Sequence, residues 1–548
     1  MSGSSEYEYI ICGGGTAGCV VASRLKQGNP SLSVAILERG PDERSHPLVL
    51  NPMGAAQLKD VGLDSVYPTV KQKHLNDRTL ELHAGNILSG SSAVNYGLWM
   101  RGQSKDYDHW AELTGDQRWS YEGLLPFFKR SETHWDPEGD RSQHGFDGPI
   151  KTSAGRAFPL RKAVHGGLVE IGLKDNPDAN SGNPLGISAW AENWSPTRQP
   201  SALAYDLKGI EIHTGATIQK LEFDTANGEP RATGVRLVDG RMFSAKKEII
   251  LSCGSHRTPQ VLMLSGIGPS EELSKLGIST LVDSPGVGEN LFDHLGSTLV
   301  FKLDAKKAEE GLAVGDAKFM ENPVHLQGLT AEWMAIDSLP KDGLKSALQA
   351  DAGSTKISDD HALLAERAHH WIATMYMPLS LGEGYDVQID GQHISISILN
   401  FQPTARGNVT LRSSDPKDDP VVDPRYNSTH HDRYVLRAGI RKALRYAETA
   451  ALKPFLVGDV PPVGKQPLTS RSSDDEIDTR VRESTMTIHH PAGTAAMGKV
   501  VDSKLKVKGV TGLRVCDASV FPVPVSATTQ ATVYAVAESF ADLILKGD

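Results

Sequence analysis

Tyr7-Glu8-Tyr9-Ile10-Ile11-Cys12 runs straight into Gly13-Gly14-Gly15-Thr16-Ala17-Gly18, and Cys19-Val20-Val21-Ala22-Ser23-Arg24-Leu25 follows. The first block reads as a short buried strand, the second as a Gly-x-Gly-x-x-Gly turn, and the third as a helix. A second strand is expected at 32–37. It ends on Glu38, twenty residues after Gly18, the spacing at which a carboxylate reaches a ribose hydroxyl. Each glycine has a physical job: Gly13 allows the tight turn, Gly15 lets the backbone approach a pyrophosphate, and Gly18 lets helix and strand pack closely. The helix N-terminus, with Thr16 and Ala17 in its first turn, offers free N–H groups and a positive dipole end to phosphates. Strand, turn, helix, strand and acid together read as a dinucleotide site. The stretch fits FAD and NAD equally.

Working outward, 548 residues are too many for one simple core, so two or more domains are expected. The formal charge of −10, from 57 basic and 67 acidic residues, is mild, and no basic block points to nucleic acid. The four cysteines, Cys12, Cys19, Cys253 and Cys516, sit in expected strands or at motif edges and read as small buried hydrophobes. No metal-ligand spacing stands out. No apolar run approaches a membrane span. Residues 1–6 are polar and too short for a signal peptide, and the C-terminus carries no organellar address. A soluble cytoplasmic protein is the expectation.

Further along, Asn86-Ile87-Leu88-Ser89-Gly90-Ser91-Ser92-Ala93-Val94-Asn95-Tyr96-Gly97 is rich in small residues, so its backbone can lie against a flat ligand. Residues 106–135 look helical, anchored in the core by Tyr107, Trp110, Trp119, Phe127 and Phe128. Residues 136–200 read as long connections. Strand-like runs at 210–213, 216–223, 232–238 and 247–251, with an Asp239-Gly240 turn, suggest an antiparallel meander returning to a parallel strand. Residues 302–370 suggest helices and a flap, 393–400 a half-buried strand, and 434–452 an amphipathic helix. Near the end, 513–517 is a strand ending in an acid and 530–545 a helix. The α/β dinucleotide domain is therefore discontinuous, a Rossmann-like parallel sheet plus an antiparallel meander, with an inserted α+β substrate domain built on an antiparallel sheet. Its pieces are placed at 1–155, 206–300 and 489–548, with 156–205 and 301–488 forming the inserted domain.

Five further stretches carry a resemblance: Ser89 to Asn95 with Arg101-Gly102, Gly254 to Pro269, Gly286 to His294, His490-Pro491-Ala492-Gly493-Thr494, and Arg514 to Ser519. With these in order, the chain resembles the glucose–methanol–choline (GMC) oxidoreductases along nearly its whole length. The resemblance implies FAD. It assigns Gly13, Gly15, Gly18 and Glu38 to the ADP half, and Ile218 to the neighbourhood of the adenine. Ser91, Ser92 and Asn95 would lie near the flavin and ribityl chain, and Asp517 and Ala518 near the ribityl or pyrophosphate. Three departures stand out. Ser89 replaces a usual glycine. Ala93 stands where some members carry a histidine bonded covalently to the flavin, so non-covalent FAD is expected. The second active-site position, usually His or Asn, falls on Thr528 or Gln530.

Oxidising an alcohol removes a hydroxyl proton and a hydride, and a histidine suits the proton because its pKa lies near neutrality. By motif position His490 is the expected base. Its neighbour His489 should point away, as alternate residues do on an extended segment. Gln530 or Thr528 would orient the hydroxyl. Asp293-His294 reads as structural, and His430-His431 as a solvated cap. His361, His369 and His370 show no metal spacing. Trp333, Trp371, Tyr376 and Phe401 fit core packing or a pocket wall. The implied reaction is oxidation of the CH–OH group of a primary, aryl or allylic, alcohol, with O₂ or another acceptor reoxidising the flavin. Alternatives are a lyase or photodecarboxylase on the same fold, a dehydrogenase using a non-oxygen acceptor, and a non-catalytic FAD-binding protein.

Overall fold

The computed structural model describes residues 5–226, 228–379 and 384–548. Residues 1–4, on which part of the leader reading rests, lie outside them.

Strand Ser5–Cys12 sits in the middle of the first sheet because its last three residues, Ile10, Ile11 and Cys12, are fully buried. It pairs in parallel with Val34–Leu37 on one side and Met242–Leu251 on the other. Glu211–His213 extends the parallel edge beside Val34–Leu37, so the run at 210–213 joins the parallel half rather than the expected meander. That meander is Ile218–Asp224, Arg231–Leu237 and Met242–Leu251. Leu513–Val515 adds a parallel strand on Met242–Leu251, so both ends of the chain build one sheet. Helix Thr16–Gly28 packs against helix Thr529–Leu545, whose residues are buried nearly all round, as expected of a central helix. Between them the fully buried Glu538 carboxylate accepts hydrogen bonds from Arg24, Arg130 and the Tyr205 hydroxyl. A buried charge with its partners removed costs about 3–5 kcal/mol, so this cluster pins the two helices in one register.

The second sheet is antiparallel, in the order Leu456–Val460, Leu295–Leu303, His393–Asn400, His370–Met375, Trp333–Asp337 and Gly186–Ala189, with Met486–Thr487 beside Leu295–Leu303. The strand His393–Asn400 alternates as expected, but neither face meets solvent. Ile398 packs on helix His430–Ala447, where a Cβ on Gly439 would lie only 2.3 Å from Ile398 Cγ2. Ser397 and Leu399 face an internal cavity instead.

Four expectations are corrected. The region 302–370 contains helix Lys341–Ala352 and also strand Trp333–Asp337, whose short, uninterrupted apolar run carries no strand period. The stretch 136–200 contains helix Arg161–Glu170 and edge strand Gly186–Ala189. The amphipathic helix begins at His430, because Thr429 caps it by accepting the Asp432 N–H at 3.2 Å, and His431 is fully buried rather than a solvated cap. The division drawn at residue 300 cuts through strand Leu295–Leu303. Among the described residues the cysteines form no disulfide, and no helix is long and apolar enough to cross a membrane.

Candidate active site

A cavity of about 750 Å³ runs between the two sheets, open at the carboxyl end of the parallel strands, where open α/β folds bind ligands. The three glycines at its mouth differ sharply in what a side chain would meet. A Cβ on Gly13 (φ +103°) would lie 2.4 Å from the Ser252 carbonyl, and one on Gly18 only 2.0 Å from the Gly13 carbonyl. Gly13 lines the cavity, while Gly18 lies behind its wall and serves packing alone. A Cβ on Gly15 would meet no protein atom nearer than 3.7 Å, so the space it leaves belongs to the cavity. Thr16 and Ala17 line the same stretch of wall.

Glu38 is buried, and its two oxygens accept the Gly14 N–H at 2.8 Å and the Gly40 N–H at 2.7 Å. Burial raises its carboxyl above the usual range, opposed by these amides. The carboxylate is fixed but keeps lone pairs for hydroxyl donors. Ile218 lines the wall nearby. At the far side Asp517 Oδ2 accepts the Gly254 N–H at 2.9 Å and the Thr258 hydroxyl at 2.6 Å, while Oδ1 accepts the Ser519 N–H at 2.8 Å. Asp517 thereby ties the last strand to helix Gly254–Leu264, with Ala518 beside it on the wall.

The small-residue loop threads between these groups. Ser91 lines the wall, where its hydroxyl accepts the Gly85 N–H, and Ser92 Oγ donates to the Ser89 carbonyl at 2.7 Å. Ser89 adopts φ 96°, which strains a residue with a side chain. Ala93 is fully buried in a small core with Val49, Leu58, Leu63 and Ile87, and it is Val94 that lines the cavity. The side chain turned to the cavity is thus that of Val94 rather than Ala93, and it too offers no nucleophile.

Asn95 Nδ2 donates to Gln530 Oε1, which also accepts from Asn193 Nδ2 at 3.3 Å. Gln530 Nε2 donates to the Leu98 carbonyl at 2.8 Å, and the Thr528 hydroxyl donates to the same oxygen at 3.1 Å. Gln530 is therefore committed to the protein and is not free to hold a hydroxyl by both functions. Thr528 keeps acceptor capacity at the wall.

His490 lines the cavity. Its backbone N–H donates to Asp293 Oδ1 at 2.7 Å, and its Nδ1 lies 3.1 Å from His294 Nδ1. Burial, with His294 and His489 nearby, holds its imidazole well below the usual value. His489 also lines the cavity. The segment is not extended there: His489 has φ 62°, which breaks the two-residue alternation and brings both rings to one side. His489 Nδ1 accepts the His83 N–H at 3.3 Å, and burial with His83 and His256 nearby pushes its imidazole down to about 3. His83 in turn is paired with Asp64.

Trp371 lines the cavity, stacks on Phe401 at 6.2 Å and leans on Trp190 at 5.1 Å. Trp333 is held by Arg161 and Tyr376 by Glu332, away from the wall. His361 caps a short turn, and His369 and His370 are buried. Sequence reasoning read His294 as structural, quoted Val94 without a role, and did not single out the wall residues Met375, Met377 and Met486. Only His294 left a signal, two polar residues, Asp293 and His294, set in an apolar run.

One group of potential metal ligands comes together among the described residues: Glu132, His134 and His144. Arg101 already donates to Glu132 at 2.6 Å, and both His144 nitrogens face carboxylates, Glu132 at 2.8 Å and Asp178 at 2.9 Å. Burial opposes protonation of His144, but bonds to Asp178 and Glu132 hold its imidazole above the usual value.

Family models for GMC oxidoreductases match residues 7–296 and 403–537. The chain is a GMC oxidoreductase. Its relatives include the GMC-type oxidoreductase acuG of Aspergillus aculeatus, 41% identical over 99% of both chains, and choline oxidase of Arthrobacter globiformis, 33% identical over 98% of this chain and 94% of the other. Among solved structures, pyridoxine 4-oxidase from Mesorbium loti superposes with a TM-score of 0.83 at 27% identity, covering 98% of each chain. GMC oxidoreductases are FAD-dependent enzymes. In this GMC oxidoreductase the free space above Gly15, the fixed Glu38 carboxylate and the Asp517 clamp fit a long dinucleotide laid along the wall.

Proposed function

We propose that this enzyme oxidises the CH–OH group of a neutral primary alcohol bearing an aryl or allylic substituent, with His490 as the base. FAD, when bound, supplies the acceptor for the hydride. The observation that carries the reading is the placement of His490. It stands at the wall where the dinucleotide cradle opens toward the second sheet, held through both backbone and ring.

The second sheet supports the substrate class. The residues it presents to the cavity are Gly296 and Thr298, Trp371 and Met375, Ser397 and Leu399, and Met486 and Thr487. All are uncharged. A charged substrate would lose its hydration without gaining a counter-ion there, whereas a flat apolar group gains contact with Trp371 and the thioethers. Asp293 fixes the backbone of His490, and a base so positioned contributes about 10²–10⁴ in rate through proton acceptance. The Thr528 hydroxyl, anchored on Leu98, is the nearer candidate to orient the substrate oxygen, and Gln530 holds the loop behind it.

The test is anaerobic mixing of the holoenzyme with a panel of alcohols while following flavin absorbance. Bleaching by neutral aryl or allylic alcohols, and not by a quaternary-ammonium alcohol or a hydroxy acid, is expected. Bleaching by a charged alcohol alone would overturn the substrate class, and no bleaching by any alcohol would favour a lyase-type reaction. Readmitting air, or adding a dye, then identifies the acceptor.

A further inference from the structure

Two adjacent residues grip the same histidine. Asp293 takes the backbone N–H of His490 at 2.7 Å, and His294 meets its ring, Nδ1 to Nδ1, at 3.1 Å with the planes 88° apart. Asp293 is itself held by the Tyr426 and Thr487 hydroxyls. His294 is 1% exposed, packed edge-on to Phe401.

Two neutral imidazoles facing each other through Nδ1 share one hydrogen, so one ring donates and the other accepts. The environment of the second His294 nitrogen decides which. Nε2 is fully buried and, among the described residues, has no partner at hydrogen-bond distance. The oxygens against the ring are the backbone carbonyls of Phe401 and Val525, which can only accept. The groups against the ring thus offer only acceptors, and a lone pair on Nε2 would find no donor among them. That environment favours the hydrogen of His294 on Nε2, which turns the Nδ1 lone pair toward His490.

We infer that His294 is a positioning residue: by accepting at Nδ1 it holds the hydrogen of resting His490 on Nδ1 and leaves His490 Nε2 as the free base. The inference rests on the reading of His490 as the base. In the proton half of the reaction, the substrate O–H bond breaks and its electron pair stays on oxygen. The proton bonds to the His490 Nε2 lone pair. The resulting imidazolium keeps its Nδ1–H on His294, which stays neutral and spreads the charge. A carboxylate at this point would bind the imidazolium more tightly, and a neutral imidazole leaves His490 readier to release the proton again.

The experiment is a long-range proton–nitrogen spectrum of the holoenzyme labelled with ¹⁵N-histidine, the His490 signals being identified by their loss in His490→Ala. An Nδ1–H tautomer for His490 and an Nε2–H tautomer for His294 are expected. His294→Leu, which removes the acceptor, should shift His490 away from the Nδ1–H form and slow flavin reduction by about tenfold or more. His294→Asn, whose Oδ1 falls near the lost Nδ1, should restore the tautomer and bring the rate to within about threefold of wild type. An Nε2–H tautomer for resting His490 would overturn the inference, as would equal slowing by Leu and Asn at matched FAD content and melting temperature. If His294→Leu fails to fold, the wild-type spectrum alone decides. Undiminished reduction by His490→Ala would remove the base assignment while leaving the tautomer result standing, so the two failures are told apart.

Discussion

The side-chain amides of Asn95 and Gln530 meet at 3.1 Å, joining the small-residue loop to the first turn of the C-terminal helix across 435 residues of sequence. Gln530 also takes Asn193 and gives to Leu98, so its amide is the knot of three segments. Gln530→Leu should leave the Asn95 and Asn193 amides without their shared acceptor, while the Leu98 carbonyl keeps the Thr528 hydroxyl. A loss of about 1–3 kcal/mol is expected, with weaker FAD retention, read by thermal unfolding with and without added FAD. Unchanged stability would show that the knot does not hold the loop.

The glycines make a paired prediction. Gly18→Ala puts a methyl 2.0 Å from the Gly13 carbonyl, whereas Gly15→Ala meets nothing nearer than 3.7 Å. Gly18→Ala should fail to give folded holoenzyme. Gly15→Ala should fold with apoprotein stability close to wild type, yet lose FAD on gel filtration because the methyl enters the cradle. Full FAD retention by Gly15→Ala would place the dinucleotide elsewhere.

Since both His489 and His490 face the cavity, their roles separate by kinetics. His490→Ala should cut the rate of flavin reduction by about 10² or more, the scale of a lost general base. His489→Ala should cost far less, because the Nδ1 of His489 is engaged by the His83 backbone. Rapid mixing under anaerobic conditions reads both, and the reverse ranking would exchange the two residues.

Val94 and Ala93 carry no nucleophile toward the cavity. Acid or heat should release all of the yellow colour into the supernatant. Colour that stays with the precipitate would mean a covalent link from another side chain.

Burial holds the imidazoles of His294, His369 and His370 down at about 4, from an ordinary 6.5. The sign follows from linkage: a depressed histidine contributes stability that is complete above 6.5 and is lost as pH falls toward 4. Near pH 5 the unfolded chain binds nearly one extra proton at each of these histidines, so each lowers stability by roughly 1 kcal/mol per pH unit there, and His489, held at about 3, acts in the same sense. Asp293 acts in the opposite sense. Burial, against bonds from Thr487 and Tyr426, raises its carboxyl to about 6, so its protonated form favours the fold below 3.8 and that gain is lost as pH rises through 6. Melting temperatures from pH 7 to 4.5 check the balance, and a flat profile would contradict three neutral buried histidines.

The parts of the fold legible in the sequence were those fixed by local sterics. Gly13 and Gly18 are dictated by carbonyls within a few residues of chain or one strand away, and Glu38 by its place at a strand end. The alternation at 393–400 announced a strand but not that both faces are interior, because the second sheet closes over the first only in three dimensions. The order of His489 and His490 hung on one left-handed residue, and a positive φ at histidine has no sequence signature. That Val94 and not Ala93 lines the cavity left no trace in the sequence, because a one-residue shift in a tight turn changes which side chain looks inward. Nothing local could announce that His294 meets His490, since 196 residues separate them.

Strand Met242–Leu251 has one parallel neighbour at each end of the chain, Ser5–Cys12 and Leu513–Val515. A ribosome making this protein at about 5–20 residues per second reaches the second neighbour roughly 25 to 100 s after the first. Once Leu251 is made, roughly 13 to 50 s before that neighbour at the same rate, the nascent chain shows an unpaired, apolar strand edge at Ile249–Leu251, and it lacks Asp517, which fastens Gly254 and Thr258. An FAD site that needs Asp517 is complete only at the close of translation, when the last strand docks. A message truncated before Leu513 is expected to yield a colourless, aggregation-prone product rather than a weak enzyme.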